Sequence, residues 1–172
     1  MNRSLFSPPL TWGEVPVTLL ADGSQYPYRV DDDLWFIWRG DENIPQVVVP
    51  LPRWYRTDGP SIPWYCQGIV KKDGPVWPAA LFHDLACSAE LFGVGGANRL
   101  MWDAMQAYGV PTGDAKKVFM AVEAFCWTTW FCHKRKEVEQ DRLAVKEASQ
   151  RIWRQHGPEF FGSARIEDIL GL

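Results

Sequence analysis

The stretch PVWPAALFHDLACSAE, Pro75 to Glu90, is where the chain changes from one structural habit to another. Upstream of it, apolar residues come in short β-branched and aromatic runs; downstream their spacing becomes helical. Pro78 suits the first turn of a helix, where a missing N–H is no loss. From Ala79 to Glu90 there is no Gly, Pro or β-branched residue to oppose that helix. In the middle of this small, apolar segment stand His83 and Asp84. A buried His-Asp pair is unfavourable unless its polar atoms are satisfied or put to use.

Working upstream, PVTLL, YPYRV, LWFIW and PQVVV read as strands, separated by the turn chemistry of ADGSQ, DDD and GDEN. They predict an antiparallel β meander over residues 1–57. The following VPLPRWYRTDGPSIP carries prolines at 50, 52, 60 and 63, which predicts a loop wandering over the sheet edge. Downstream, GVGG breaks the first helix, and Ala97 to Tyr108 makes a second. Asp114 is positioned as the N-cap of a third, through AKKVFMAVEAFCWTTWF. Residues 134–155 form a charged amphipathic helix, with Val138, Val145, Ala148 and Ile152 close to one stripe, followed by a loose tail. The fold class is α+β: an N-terminal antiparallel β meander followed by a helical half that carries the His-Asp helix. One domain over 1–133, with a loop at 58–76 and helices over 78–133, is followed by the charged helix and C-terminal tail of 134–172.

Composition narrows the function. With 172 residues the chain can bury a proper core, and its net charge of −3 gives no polyelectrolyte signal. Nucleic acid is therefore not expected as a partner; the one basic cluster, His133 to Glu137, reads as a solvated helix face. Ten tryptophans favour a packed assembly, because large rigid aromatics are enriched at interfaces. The cysteines at 66, 87, 126 and 132 lack C-x-x-C spacing and read as reduced core residues, which suits folding in a cytoplasm. The N-terminus has no apolar signal segment, and the run Val118 to Cys132, interrupted by Glu123, is too short and polar to span a bilayer.

The candidate chemistry starts at His83, which shares a face with small residues that let another helix approach. If the second helix packs antiparallel, Asp103 can face His83, beside Arg99 at i−4. A carboxylate-held histidine is a general base of fixed tautomer. Asp84, about 100° round the helix, is then placed to bind a metal or a backbone donor. Asp58 and the carbonyls of TDGPSIP add oxygen ligands for a hard divalent cation, calcium ahead of zinc. Each feature also has a structural reading. His83 and Asp103 can be a buried polar network, Asp84 a cap on the TDGPSIP loop, and Asp58 with Ser61 a turn. Glu123 can pair with Lys116 or Lys117, and Ser61 lacks the G-x-S-x-G elbow of a nucleophile.

The order VVVPLPRWYRTDGPSIPWY, AALFHDLAC, NRLMWDAM resembles a phage and prophage family known as domain of unknown function 1353, over about residues 5–131. Pro60, Ala86-Cys87 and Trp102 depart from its pattern, and no polar motif residue is lost. The resemblance implies a phage origin without an activity. The His-Asp pair, followed about 20 residues on by an aspartate, is also similar to phospholipases A2. That likeness implies His83 as base, Asp84 as calcium ligand and Asp103 as orienter, with TDGPSIP standing in for the calcium loop.

Two functions follow as expectations. One is a phage-encoded, metal-assisted hydrolase acting on a phospholipid or cell-envelope bond. The other is a non-enzymatic virion or tail protein, partnered by other phage proteins or by itself. Both are made in the host cytoplasm, and either product can end in the virion; an early inhibitor of a host factor ranks last. An enzyme would leave His83 and Asp84 within reach of solvent, whereas a structural network would be sealed.

Overall fold

The computed structural model describes residues 6–7, 15–39, 46–58, 74–130, 135–157 and 164–166. Among these described residues seven short strands and four helices follow one another: β1 (Phe6–Ser7), β2 (Val17–Leu19), β3 (Tyr28–Val30), β4 (Leu34–Trp38), β5 (Val47–Leu51), β6 (Arg56–Thr57), α1 (Val76–Ser88), α2 (Gly93–Ala107), α3 (Thr112–Trp130), α4 (Arg135–His156) and β7 (Ala164–Arg165). The α+β class, strands first and helices after, is what the sequence predicts.

The strands form two sheets rather than one meander, ordered β1-β4-β5-β7 and β2-β3-β6. The split follows the pattern of β4 and β5, whose residues are buried on both faces. Leu34, Phe36, Trp38, Val47, Val49 and Leu51 face the main core, while Trp35, Ile37 and Val48 face Ile152 and Trp153 of α4. A strand pair covered on both sides sits at the centre of a domain. The outer hairpin β2–β3, half exposed, is left to form the smaller sheet with β6.

Two expectations about elements are corrected. Pro50 lies inside β5, opposite Trp35, instead of starting the loop. Among the described residues β7 pairs with β5 at Val47 and Val48 alone, so Pro50 lies beyond this ladder, where a residue with no N–H is tolerated. The glycines of GVGG do not break the helix but form the first turn of α2. The reversal is made by Glu90 and Phe92, both left-handed, with Leu91 fully buried between them and its N–H on Ala86 O at 2.7 Å. Beyond these, α4 contributes Val145 to the main core, and Ile166 is also fully buried there. Among the described residues no helix is long and apolar enough to cross a membrane.

On the main-core side, α1 is buried almost all round, from Val76 to Cys87. Phe82 meets Phe36 at 5.8 Å and Trp77 stands edge-on to Tyr28 at 5.0 Å, so one helix ties both sheets together.

Candidate functional site

The tight turn between α1 and α2 sets the register of the site. In an antiparallel helix hairpin, residues equally distant from the turn face each other. His83 stands five residues before the end of α1 and Asn98 five after the start of α2, so these two meet. Asn98, only 1 % exposed, lies with Oδ1 3.0 Å from His83 Nε2 and donates through Nδ2 to Glu123 Oε1 of α3 at 2.6 Å.

This short chain fixes the chemistry of the imidazole. A carboxylate only accepts, so Glu123 takes the Asn98 amide N–H and turns Oδ1 toward α1. Oδ1 also only accepts, so His83 Nε2 must carry the proton. In the neutral ring the basic lone pair is then on Nδ1, which lies 3.8 Å from Asp84 Oδ1. Cys87, one turn along α1, brings Sγ to 3.5 Å from Nε2.

Asp84 is held from the other side by the small sheet. Its Oδ2 accepts from Thr57 Oγ1 at 2.9 Å, the loop-capping role open to it from the sequence. Burial pushes the Asp84 carboxyl up from its usual range, and the nearby charge of Asp58 adds to this; the hydrogen bond and charge that His83 offers once its ring is protonated, with the Thr57 bond, oppose it. Tyr55, whose hydroxyl lies 3.3 Å from Ser88 Oγ, is kept a neutral phenol by burial and by the Asp84 charge. The side chains of His83 and Asp84 keep 12 % and 24 % of their surface, so solvent reaches the pair.

The expected orienter is elsewhere. Asp103 Oδ2 accepts from Trp38 Nε1 at 2.9 Å and from Arg99 Nε at 3.3 Å. Five residues separate it from Asn98, which is about 140° round the helix, so α2 cannot offer both to α1. Arg99 is half exposed and serves Asp103 alone among the described contacts. Glu123 joins His83 through Asn98, while Lys117 pairs with Asp114 at 3.1 Å. Asp58 is exposed beside the site, and Ser61 lies outside the described residues. Among the described residues no group of three or more His, Cys, Asp or Glu side chains is placed to hold a metal ion. Asn98, Thr57 and Tyr55 were missed from sequence; the equal spacing of His83 and Asn98 about the SAELF turn was the available signal for the first.

Among known proteins, a family model described as "Protein of unknown function (DUF1353)" matches residues 29–122, a span that holds Tyr55, Thr57, His83, Asp84 and Asn98. No curated protein and no solved structure matches the chain.

Proposed function

The chain belongs to the DUF1353 family, whose description assigns no activity, and we propose from its site that it is a hydrolase with a histidine base. His83 Nδ1 takes a proton from water, and Asn98, backed by Glu123, holds the ring and its tautomer while the imidazolium forms. The observation that supports this reading is the directed chain His83–Asn98–Glu123, which fixes a proton on Nε2 and so makes Nδ1, beside Asp84, the basic nitrogen of the neutral ring. A divalent cation would be held by Asp84 with Asp58, hard oxygen donors suited to calcium, and when bound it would polarise the carbonyl under attack. The substrate class is an ester or amide of a phospholipid or cell-envelope polymer, in keeping with the phage character of the resemblance.

The deciding experiment offers vesicles of anionic phospholipid, and separately purified envelope polymer, to the wild type and His83→Gln, with and without calcium. Hydrolysis by the wild type that falls by a factor of about 10² or more in the variant supports the base. Absence of hydrolysis on both substrates, together with no calcium-dependent rise in melting temperature, would sink the reading. A second reading, a virion or tail assembly protein, is favoured by Trp54. This residue is 56 % exposed in the left-handed region (φ 75°), with the Arg29 guanidinium 4.6 Å above its ring, a rigid aromatic suited to an interface. Its test is detection of the chain in purified particles.

A further inference from the structure

The small sheet turns one face to solvent, and that face has a chemistry of its own. Along β3, Tyr28 stands edge-on to Trp77 and Val30 enters the main core, so Arg29 between them projects outward. Its cross-strand partners Thr18 and Arg56 project with it. The turn before β6 brings Trp54 to the same place. Its N–H donates to Val30 O at 2.7 Å, and the Arg29 guanidinium lies 4.6 Å from the centre of its ring. With one face of the indole under Arg29, the exposed surface of Trp54 is the other face and the edge.

Around the indole the charges are already balanced. Arg29 binds Asp31 at 3.0 Å, Asp31 also accepts from Thr18 Oγ1 at 2.6 Å, and Arg56 binds Asp22 at 3.1 Å. An anionic bilayer or a nucleic acid needs a surplus of cations, and the centre of a protein interface is depleted of charged groups. An uncharged ligand rich in hydroxyl and amide groups needs neither. It takes the guanidinium N–H groups and carboxylate lone pairs that one exposed ion pair does not use up. The indole adds a stacking surface for a pyranose ring whose substituents are all equatorial, because its negative π face attracts the polarised C–H groups of that ring. We propose that this face anchors an uncharged glycan strand of β-1,4-linked N-acetylhexosamine, with one sugar ring stacked on Trp54. The face lies across the small sheet from the histidine site: Arg56 and its neighbour Thr57 project to opposite sides, and Thr57 donates to Asp84. In naming the polymer the inference rests on the envelope-polymer form of the hydrolase reading, and it makes that polymer, not phospholipid, the substrate class.

The test is titration of the full chain with N-acetylchitotetraose, followed by the nitrogen–proton signal of the Trp54 indole, assigned by its absence in Trp54→Gly. Glycine accepts the left-handed backbone at this position (φ 75°), so the variant removes the ring without straining the chain. Saturable movement of that signal is expected, with the calorimetric affinity about tenfold weaker in Trp54→Gly and about threefold weaker in Arg56→Gln. The inference is overturned if the Trp54 signal does not saturate, if Trp54→Gly binds as tightly as the wild type, or if vesicles of anionic phospholipid move the same signal as strongly. Movement of that signal with protein concentration alone also overturns it, by making the face a contact between copies of the chain. Glycan binding with no hydrolysis in any assay would remove the hydrolase reading and leave this face standing, whereas hydrolysis of the polymer without saturable binding here would do the reverse.

Discussion

Asn98 is the residue on which the site turns. It is buried, it carries the two hydrogen bonds that link His83 of α1 to Glu123 of α3, and its signal in the sequence is its spacing from the turn rather than its neighbours. Asn98→Leu keeps the shape but leaves His83 Nε2 and Glu123 without this partner, so a loss of about 2–4 kcal/mol in urea unfolding is expected. Asp103→Asn retains an acceptor for the Trp38 indole and should change stability by less than about 1 kcal/mol, while Asp103→Ala strands a buried N–H at about 1–3 kcal/mol. Nitrogen shifts of the His83 ring should move in the Asn98 variant and not in Asp103→Asn; the reverse would restore Asp103 as orienter. The His-Asp pair itself was legible, because a polar pair in a small apolar helix stands out. Its partner was not, because helix register depends on which residues form the turn, and Glu90 and Phe92 take left-handed conformations that sequence assigns to glycine.

Asp84 carries a pH prediction of definite sign. Its folded-state pKa is raised, so the native state holds this proton more tightly than the unfolded chain. The stabilising contribution is full below the ordinary carboxylate value of about 3.9 and is lost as pH rises through the raised folded value. Asp84→Asn keeps an acceptor for Thr57, so it should match the wild type in acid and be the more stable at neutral pH, read by melting temperature across the range. A residue that lowers stability yet sits beside the proposed base is what a functional role predicts. A neutral-pH loss of several degrees in the variant would instead make the carboxylate a structural part.

At the scale of elements, α4 is latched by one ion pair reaching back to the strands. Arg151 Nε and one terminal nitrogen bind the two oxygens of Asp33, at 2.6 and 2.9 Å, and Asp33 also accepts the Arg53 backbone N–H. Burial of Asp33 is outweighed by these bonds and by the Arg151 charge, which hold its carboxyl below the usual range. A lowered pKa gives stability that is present above about pH 3.9 and lost as pH falls through the folded value. Asp33→Asn should therefore lower stability by about 1–2 kcal/mol at neutral pH, with the difference from wild type closing in strong acid. A difference that persists at low pH would assign the effect to packing. The positions of β2 to β5 were legible from the β-branched and aromatic runs, and α4 from its stripe, whereas β6 lay within the stretch read as a loop. The pairing of β7 with β5 was not legible, since two residues carry no periodicity.

For the whole molecule, the question is whether residues 134–172 fold with the rest. The sequence sets them apart because their charge and mean hydropathy differ from the helices before them, and composition says nothing about where an amphipathic stripe docks. In the fold the stripe covers the outer face of β4 and β5 through Ile152 and Trp153, while Val145 and Ile166 enter the same core as Phe36 and Phe82. Shared burial of this kind couples unfolding, so one cooperative urea transition is expected, with helix content by circular dichroism and tryptophan emission changing together. Ile166→Ala, at a fully buried position, should shift that single transition by about 2–5 kcal/mol although it lies far from α1 in the chain. Two separated transitions, with Ile166→Ala moving only the weaker, would mean that the two-sided cover of the central sheet is a docking of independent parts.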